Sequence, residues 1–190
     1  MRKLKLQVQI TLDGFIGGPR GEMDWLTFDW DDQLKSYVAA LTAPVDTIVL
    51  GRKLAEGFIP HWAAVAADAA NPEVEAGRTF TATPKVVFTR TLTQAEWPNT
   101  VLARHDLAAE ITALKQQPGQ DIIAYGGAAF VTALIQAGLI DEYHLFVNPV
   151  ALGQGLPIFR HLDGMLPLTL VKSTAFACGI VGLHYEPRRG

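Results

Sequence analysis

Ile122-Ile123-Ala124-Tyr125-Gly126-Gly127-Ala128-Ala129-Phe130-Val131-Thr132-Ala133-Leu134-Ile135-Gln136-Ala137-Gly138-Leu139-Ile140 is a run of 19 residues without a charge. Its length is near the minimum for a membrane-spanning helix. The interior argues otherwise, because Gly126-Gly127 falls four residues in, Tyr125, Thr132 and Gln136 dilute the apolar character, and Asp121, Asp141 and Glu142 flank the run in place of lysine and arginine. The run reads as a buried strand over residues 122–125, a glycine turn, and a helix over 128–137. That helix turns Phe130, Val131, Leu134 and Ile135 inward and ends at Gly138. A strand passing through glycine into a helix is the repeating unit of an α/β fold.

The same unit recurs upstream. Residues 45–50 form a short apolar strand, Gly51-Arg52-Lys53-Leu54 follows it directly, and a helix is expected to Phe58, stopped by Pro60. Leu4, Leu6, Val8 and Ile10 alternate with Lys3, Lys5, Gln7 and Gln9, the period of two of a strand with one face in the core. Residues 13–21 hold four glycines and a proline, so the backbone turns repeatedly there. Asp31-Asp32 opens a helix carrying Leu34, Tyr37, Val38 and Leu41 and blocked by Pro44. Residues 63–83 mix helix and loop, and residues 85–89 and 100–103 read as strands. Asp106 caps a helix that Pro118-Gly119 ends. After Asp141 the pattern becomes strand, irregular loop, and a hairpin of residues 166–176 and 180–185. Together these predict one domain over residues 1–190, an α/β three-layer α/β/α sandwich whose mostly parallel sheet closes on an antiparallel C-terminal hairpin.

Composition narrows the function. The 190 residues carry 16 Lys+Arg against 19 Asp+Glu, a formal charge of −3, and lack the basic footprint of a nucleic-acid-binding protein. With Cys178 as the single cysteine, there is neither an internal disulfide nor a Cys/His zinc cluster, which leads to the expectation of a cytoplasmic protein with no nucleic-acid or membrane partner. Ser36 and Ser173, the two serines, lie outside any G-x-S-x-G, and the histidines at 61, 105, 144, 161 and 184 lack metal spacing. Neither G-x-G-x-x-G nor a P-loop occurs.

Phosphate chemistry is the stronger signal. Ligands of open α/β sheets gather at the carboxyl ends of strands, where helix N-termini present free N–H groups and glycine admits the ligand to the backbone. Leu50-Gly51-Arg52-Lys53, Tyr125-Gly126-Gly127-Ala128 and Thr89-Arg90 all stand at such ends, and three anion sites suit a ligand with several phosphates, such as a dinucleotide. Any one junction is more simply read as a tight turn or close helix packing, and it is the three together that favour the anion sites.

Thr11-Leu12-Asp13-Gly14-Phe15-Ile16, Gly51-Arg52-Lys53, Gly126-Gly127, Gly138-Leu139-Ile140-Asp141-Glu142 and the stretch from Pro149 through Gly153-Gln154-Gly155-Leu156-Pro157 to Phe159 resemble the dihydrofolate reductase-like superfamily. Within it, the resemblance is closest to the riboflavin-biosynthesis reductase C-terminal domain family. It implies a reductase taking NADPH and a small-molecule substrate, and a homodimer. Gly51, Arg52 and Lys53 would hold cofactor phosphates, Thr89 and Arg90 the adenosine 2′-phosphate, and Gly126, Gly127 and Ala128 the pyrophosphate. An acidic residue near the following helix start would serve catalysis, with Asp31 and Asp32 as candidates; either is equally readable as a helix-end carboxylate. Asp13, Trp25 and Phe58 are candidate substrate residues. Trp25, Phe28, Trp30, Phe58 and Trp62 form an aromatic set that lines a pocket for a flat heterocycle or belongs to the core or a dimer interface. The expected reaction is hydride transfer to a C=N or C=O of a pteridine- or pyrimidine-like compound. The alternatives are a non-catalytic NADP(H)-binding module and a true dihydrofolate reductase.

Overall fold

The computed structural model describes residues 1–26 and 29–188. The chain runs β1 (Leu4–Thr11), α1 (Asp32–Thr42), β2 (Val45–Gly51), α2 (Arg52–Ala67), α3 (Val74–Ala82), β3 (Lys85–Phe88), β4 (Thr100–Ala103), α4 (Leu107–Gln116), β5 (Asp121–Ala124), α5 (Ala128–Gln136), β6 (Glu142–Asn148), β7 (Leu168–Ala175) and β8 (Val181–Pro187). Among the described residues the strands form one eight-stranded sheet in the order β4-β3-β2-β5-β1-β6-β8-β7. All neighbours from β4 to β6 pair in parallel, and β8 inserts antiparallel between β6 and β7. The expected sandwich and its C-terminal hairpin are therefore present, with the hairpin turned so that β7 is the outer strand.

Two faces of the sheet are covered. Leu4, Leu6, Val8 and Ile10 of β1 join Ile122 and Ala124 of β5 in a core with Ile111 of α4 and Val131, Leu134 and Ile135 of α5. On the other face Ile48, Leu50 and Ile123 pack with Ala55 and Ile59 of α2, and Leu34 and Leu41 of α1 pack on Phe146, Phe176 and Ile180. Central parallel strands are buried on both sides.

That burial overturns one expectation. The polar residues of β1 were expected to alternate toward solvent, yet Lys5 and Gln7 are only 6% and 8% exposed because β1 lies mid-sheet under α1. The buried charge of Lys5 is met inside the fold, its Nζ lying 2.9 Å from Asp121 Oδ2, and the more exposed Lys3 Nζ lies 2.5 Å from Glu142 Oε1. Glu142 also reaches His144 Nε2 at 3.2 Å, and His144 stacks on His184 with ring centroids 4.2 Å apart. The bond to His144 and then the one to Lys3 hold the Glu142 carboxyl at about 2, while burial and the neighbouring imidazole push His184 below its usual value. Both shifts lie below the ordinary values of 4.5 and 6.5, so both contributions are complete at neutral pH and shrink as pH falls, His184 first and Glu142 between about 4.5 and 2. Glu142→Gln is expected to cost about 1.5–3 kcal/mol at pH 7 and to flatten the acid limb. Urea unfolding at a series of pH values measures both.

Pro60 departs from expectation as well. It does not stop α2, which continues for two further turns to Ala67. Proline removes one intrahelical hydrogen bond and crowds the carbonyl four residues back. Here that carbonyl belongs to Glu56, exposed like Pro60, while Ile59 and Val65 anchor the helix on either side of the defect. Burial of the anchoring face outweighs the local penalty.

Candidate active site

β5 is flanked by β1 and β2, and the helices that follow those two strands, α1 and α2, lie on one face of the sheet while α5 lies on the other. Strand neighbours that send their helices to opposite faces leave a crevice beyond their carboxyl ends. The crevice is centred on Tyr125-Gly126-Gly127. Gly51 and Thr89 close β2 and β3 next to it, so the three junctions read from sequence occupy consecutive positions, β3-β2-β5, along one edge.

Capping separates the two helices here from α1 and α4. Asp31 accepts a bond from Leu34 N at the start of α1, and Asp106 accepts one from Ala109 N at the start of α4. α2 and α5 begin instead on Gly51 and Gly127, and neither N-terminus has a side-chain cap. Unsatisfied N–H groups at a helix start favour an anion. The two starts also abut. A Cβ at Gly51 would lie 2.8 Å from Phe130 Cβ, and one at Gly127 would lie 3.6 Å from Leu54 Cβ. Gly126 and Gly127 have φ of +144° and +81°, so a side chain is disfavoured there by the backbone itself. Such a cradle suits a pyrophosphate.

Basic groups border the cradle unequally. Arg52 Nη1 lies 2.7 Å from Glu56 Oε1, while Lys53 and Arg90 are exposed. Thr89 is buried, and its Oγ1 accepts bonds from Thr91 N and Leu92 N at 3.1 Å each. It shapes the turn that carries Arg90. Arg104, at the end of β4, donates to the Thr93 carbonyl across the same turn.

On the α1 side a cavity of about 810 Å³ lies between α1 and α3 and reaches Tyr125. Trp30, Phe80 and Tyr125 supply its aromatic wall. Burial pushes the Tyr125 phenol well above its usual value, so it stays neutral. Phe58 stands behind this wall, stacked on Tyr125 at 5.5 Å and edge-on to Phe80 at 5.4 Å. It positions Tyr125 without lining the cavity.

The loop after β1 is locked to the loop after β6. Asp13 Oδ2 accepts from Leu152 N at 3.0 Å and Gly153 N at 2.6 Å, and Thr11 Oγ1 donates to Asp13 Oδ1 at 2.6 Å. The Thr11 bond and then those from the backbone lower the Asp13 pKa. A Cβ at Gly155 would collide with the Gly17 carbonyl and the Phe15 ring. The two motifs at residues 11–16 and 149–159 are thus halves of one device.

The sequence profile of the RibD C-terminal domain matches residues 2–182. The chain belongs to the RibD C-terminal domain family. It is 35% identical to YyaP of Bacillus subtilis (strain 168) over 189 residues, covering 97% of this chain and 95% of that protein, and 28% identical to YwjB of the same organism, covering 97% of each. The crystal structure of a putative riboflavin biosynthesis protein from Shewanella sp. PV-4 superposes with a TM-score of 0.73 at 22% identity over the whole of both chains. A diaminohydroxyphosphoribosylaminopyrimidine deaminase/5-amino-6-(5-phosphoribosylamino)uracil reductase from Thermotoga maritima gives 0.70 at 20% identity, covering 98% of this chain and 57% of that one. Dihydrofolate reductase from Enterococcus faecalis, complexed with NADP(H), gives 0.63 at 17% identity, covering 98% and 97%. The dihydrofolate reductase-like fold is common to all three.

Several residues expected in the site of this RibD C-terminal domain have other tasks. Asp13 is the loop tether described above. Asp31 caps α1 and also accepts from Cys178 N at 3.0 Å, joining the helix to the β7–β8 turn. The bond from Leu34 N and then that from Cys178 N lower its pKa, which disfavours the protonated form a donor would need. Asp32 is exposed at the first position of α1. Trp25 donates its Nε1 to the Glu22 carbonyl at 3.2 Å and is not among the residues that line the cavity, and Phe28 lies outside the described residues. Asp31→Ala is expected to cost about 0.5–2 kcal/mol through the lost cap while leaving the pH profile of kcat unchanged, as urea unfolding and steady-state kinetics measure.

The sequence reading missed Tyr125 as a lining residue and Arg104 as a neighbour of Arg90. A signal existed for the second: Ala103-Arg104 repeats the strand-then-arginine pattern of Phe88-Thr89-Arg90. None existed for the cavity that α1 and α3 line together, because it depends on helices separated in the chain.

No helix of the described residues is long and apolar enough to cross a membrane.

Proposed function

We propose that the chain is an NADPH-dependent reductase acting on a C=N or C=O bond of a small molecule held between α1 and α3. The observation that carries this reading is the pair of uncapped helix starts meeting on Gly126-Gly127 beside the cavity. Gly51, Arg52 and Lys53 at the head of α2, with Gly126, Gly127 and Ala128 at the head of α5, would donate to the pyrophosphate. Arg90, carried by the Thr89 turn, and Arg104 would meet the 2′-phosphate, to which a guanidinium fork donates several bonds. NADPH when bound supplies hydride, so that acceptor, NADPH and one proton give the reduced acceptor and NADP⁺.

The chain's own work is placement and exclusion of water. Tyr125, buttressed by Phe58, fixes one wall against which a flat substrate would stack, and Trp30 and Phe80 complete it. The proton would come from water entering at the open side, since Asp13 and Asp31 already accept bonds from the backbone. A two-fold partner would sit on β7, the outer strand, where Leu170 and Val171 are about half exposed. Sedimentation velocity is expected to give a dimer that Val171→Lys dissociates.

Oxidation of NADPH, followed by absorbance with a panel of cyclic imines, pteridines and simple carbonyls, tests the activity. Consumption with at least one acceptor is expected. Saturable NADPH binding with no consumption by any acceptor would leave a binding module.

A further inference from the structure

The cavity between α1 and α3 has a volume of about 810 Å³, within the usual range for small-molecule sites. Its charged lining is sparse: Lys35 from α1 faces Glu73 and Glu75 from the start of α3, one cation against two carboxylates. All three are exposed at the mouth, and Glu75 Oε1 already holds Arg78 Nη1 at 2.5 Å. The rest of the wall is largely apolar, with Val38, Ile48, Phe80 and Tyr125, and the hydroxyls of Thr42 and Thr79 already donate to the Val38 and Glu75 carbonyls of their own helices. Among the described residues no arginine or histidine lines the space. Arg20, the basic residue of the loop after β1, is bound to Glu22 at 2.6 Å and does not reach the lining.

A phosphate monoester brings about two negative charges and three strong acceptor oxygens, and leaves water only for cations or several converging donors. This cavity offers one lysine beside two carboxylates. The cations proposed to meet phosphate, Arg52, Lys53 and Arg90, lie instead at the head of α2 and on the turn after β3.

We propose that the cavity selects an uncharged, flat substrate and rejects phosphorylated sugars, so that the chain does not reduce 5-amino-6-(5-phosphoribosylamino)uracil, the compound named for the Thermotoga maritima relative. The inference rests on the reductase reading and deepens it by naming the substrate class. The cavity admits neutral heterocycles or carbonyl compounds through stacking on Tyr125 and Trp30, and at its mouth Lys35 is offset by Glu73 while Arg78 is taken up by Glu75, which leaves no surplus cation to hold a phosphate.

Binding and turnover are measured separately so that the two readings fail separately. Tryptophan fluorescence of the NADP⁺-loaded protein is titrated with 5-amino-6-(5-phosphoribosylamino)uracil, with its dephosphorylated form, and with the neutral flat probes isatin and 6-methyl-7,8-dihydropterin. The dephosphorylated form is expected to bind at least about 10-fold more tightly than the phosphate ester, and at least one neutral probe to saturate below about 1 mM. Ala76→Arg places a guanidinium on the exposed wall of α3 and is expected to narrow or reverse the preference by about 10-fold. Equal or tighter binding of the phosphate ester to the unaltered protein overturns the proposal, as does failure of every neutral probe to bind. If the binding order holds and no acceptor oxidises NADPH, the reductase reading falls while the selectivity of the cavity stands.

Discussion

Gly127→Val is expected to raise the Kd for NADPH at least about 100-fold, the equivalent of about 3 kcal/mol. The reason is positional. Gly127 is the N-cap of α5, its φ is +81°, and a Cβ there lies 3.6 Å from Leu54 Cβ and 3.9 Å from Phe130 Cβ, in the gap between two helix starts. A branched side chain would fill the space proposed for the pyrophosphate and screen the N–H groups of both helices. The backbone pays as well, since a left-handed conformation costs a non-glycine residue about 1–2 kcal/mol, or about 2–8 °C in Tm for a domain of this size. Gly138→Val separates the two effects. Gly138 has φ of +63° at the opposite end of the same helix and open space where a Cβ would stand. It should carry a similar Tm loss with unchanged NADPH affinity, and isothermal titration of both variants checks the pair. Equal affinities in the two variants would move the cofactor away from the cradle.

The second large effect is on cofactor choice. NADPH is expected to raise the Tm more than NADH, and Arg90→Ala to reduce the ratio of the two affinities by about 10- to 100-fold, the range of a charge-assisted bond to phosphate worth about 1.5–3 kcal/mol. Arg90 is exposed, yet the turn that carries it is fixed by the buried Thr89 hydroxyl, which accepts from two successive N–H groups. Arg104→Ala is expected to act in the same direction and also to loosen that turn, because its guanidinium bridges to the Thr93 carbonyl. Thr89→Val, which keeps the shape and removes the acceptor, should mimic part of the Arg90 loss without touching a charge. Titrations with NADPH and NADH at low and high salt read the difference, and an unchanged ratio in Arg90→Ala would exclude the 2′-phosphate from this edge.

The uncharged run from Ile122 to Ile140 shows what was legible and why. Its glycines, its helical stripe and its acidic flanks are local properties, and they return in the structure as β5, the cradle and α5. Pro60 shows the opposite case, where a local rule yields to packing on Ile59 and Val65. Lys5 and Gln7 were misread because alternation reports chemistry and not what covers each face. Asp13 and Asp31 were read as site residues, and the structure uses both carboxylates to hold backbone N–H groups more than a hundred residues away.

From its amino-acid order alone this protein is bound to be an α/β domain with glycine-led helices after its strands, since turn chemistry and hydrophobic period act over a few residues. Tertiary structure alone decided that three of those strand ends lie side by side, that two helix starts meet without caps, and that α1 and α3 enclose a cavity. Those facts depend on strand order and on which face each helix takes, and both are settled by burying the whole apolar surface at once, which no short segment encodes.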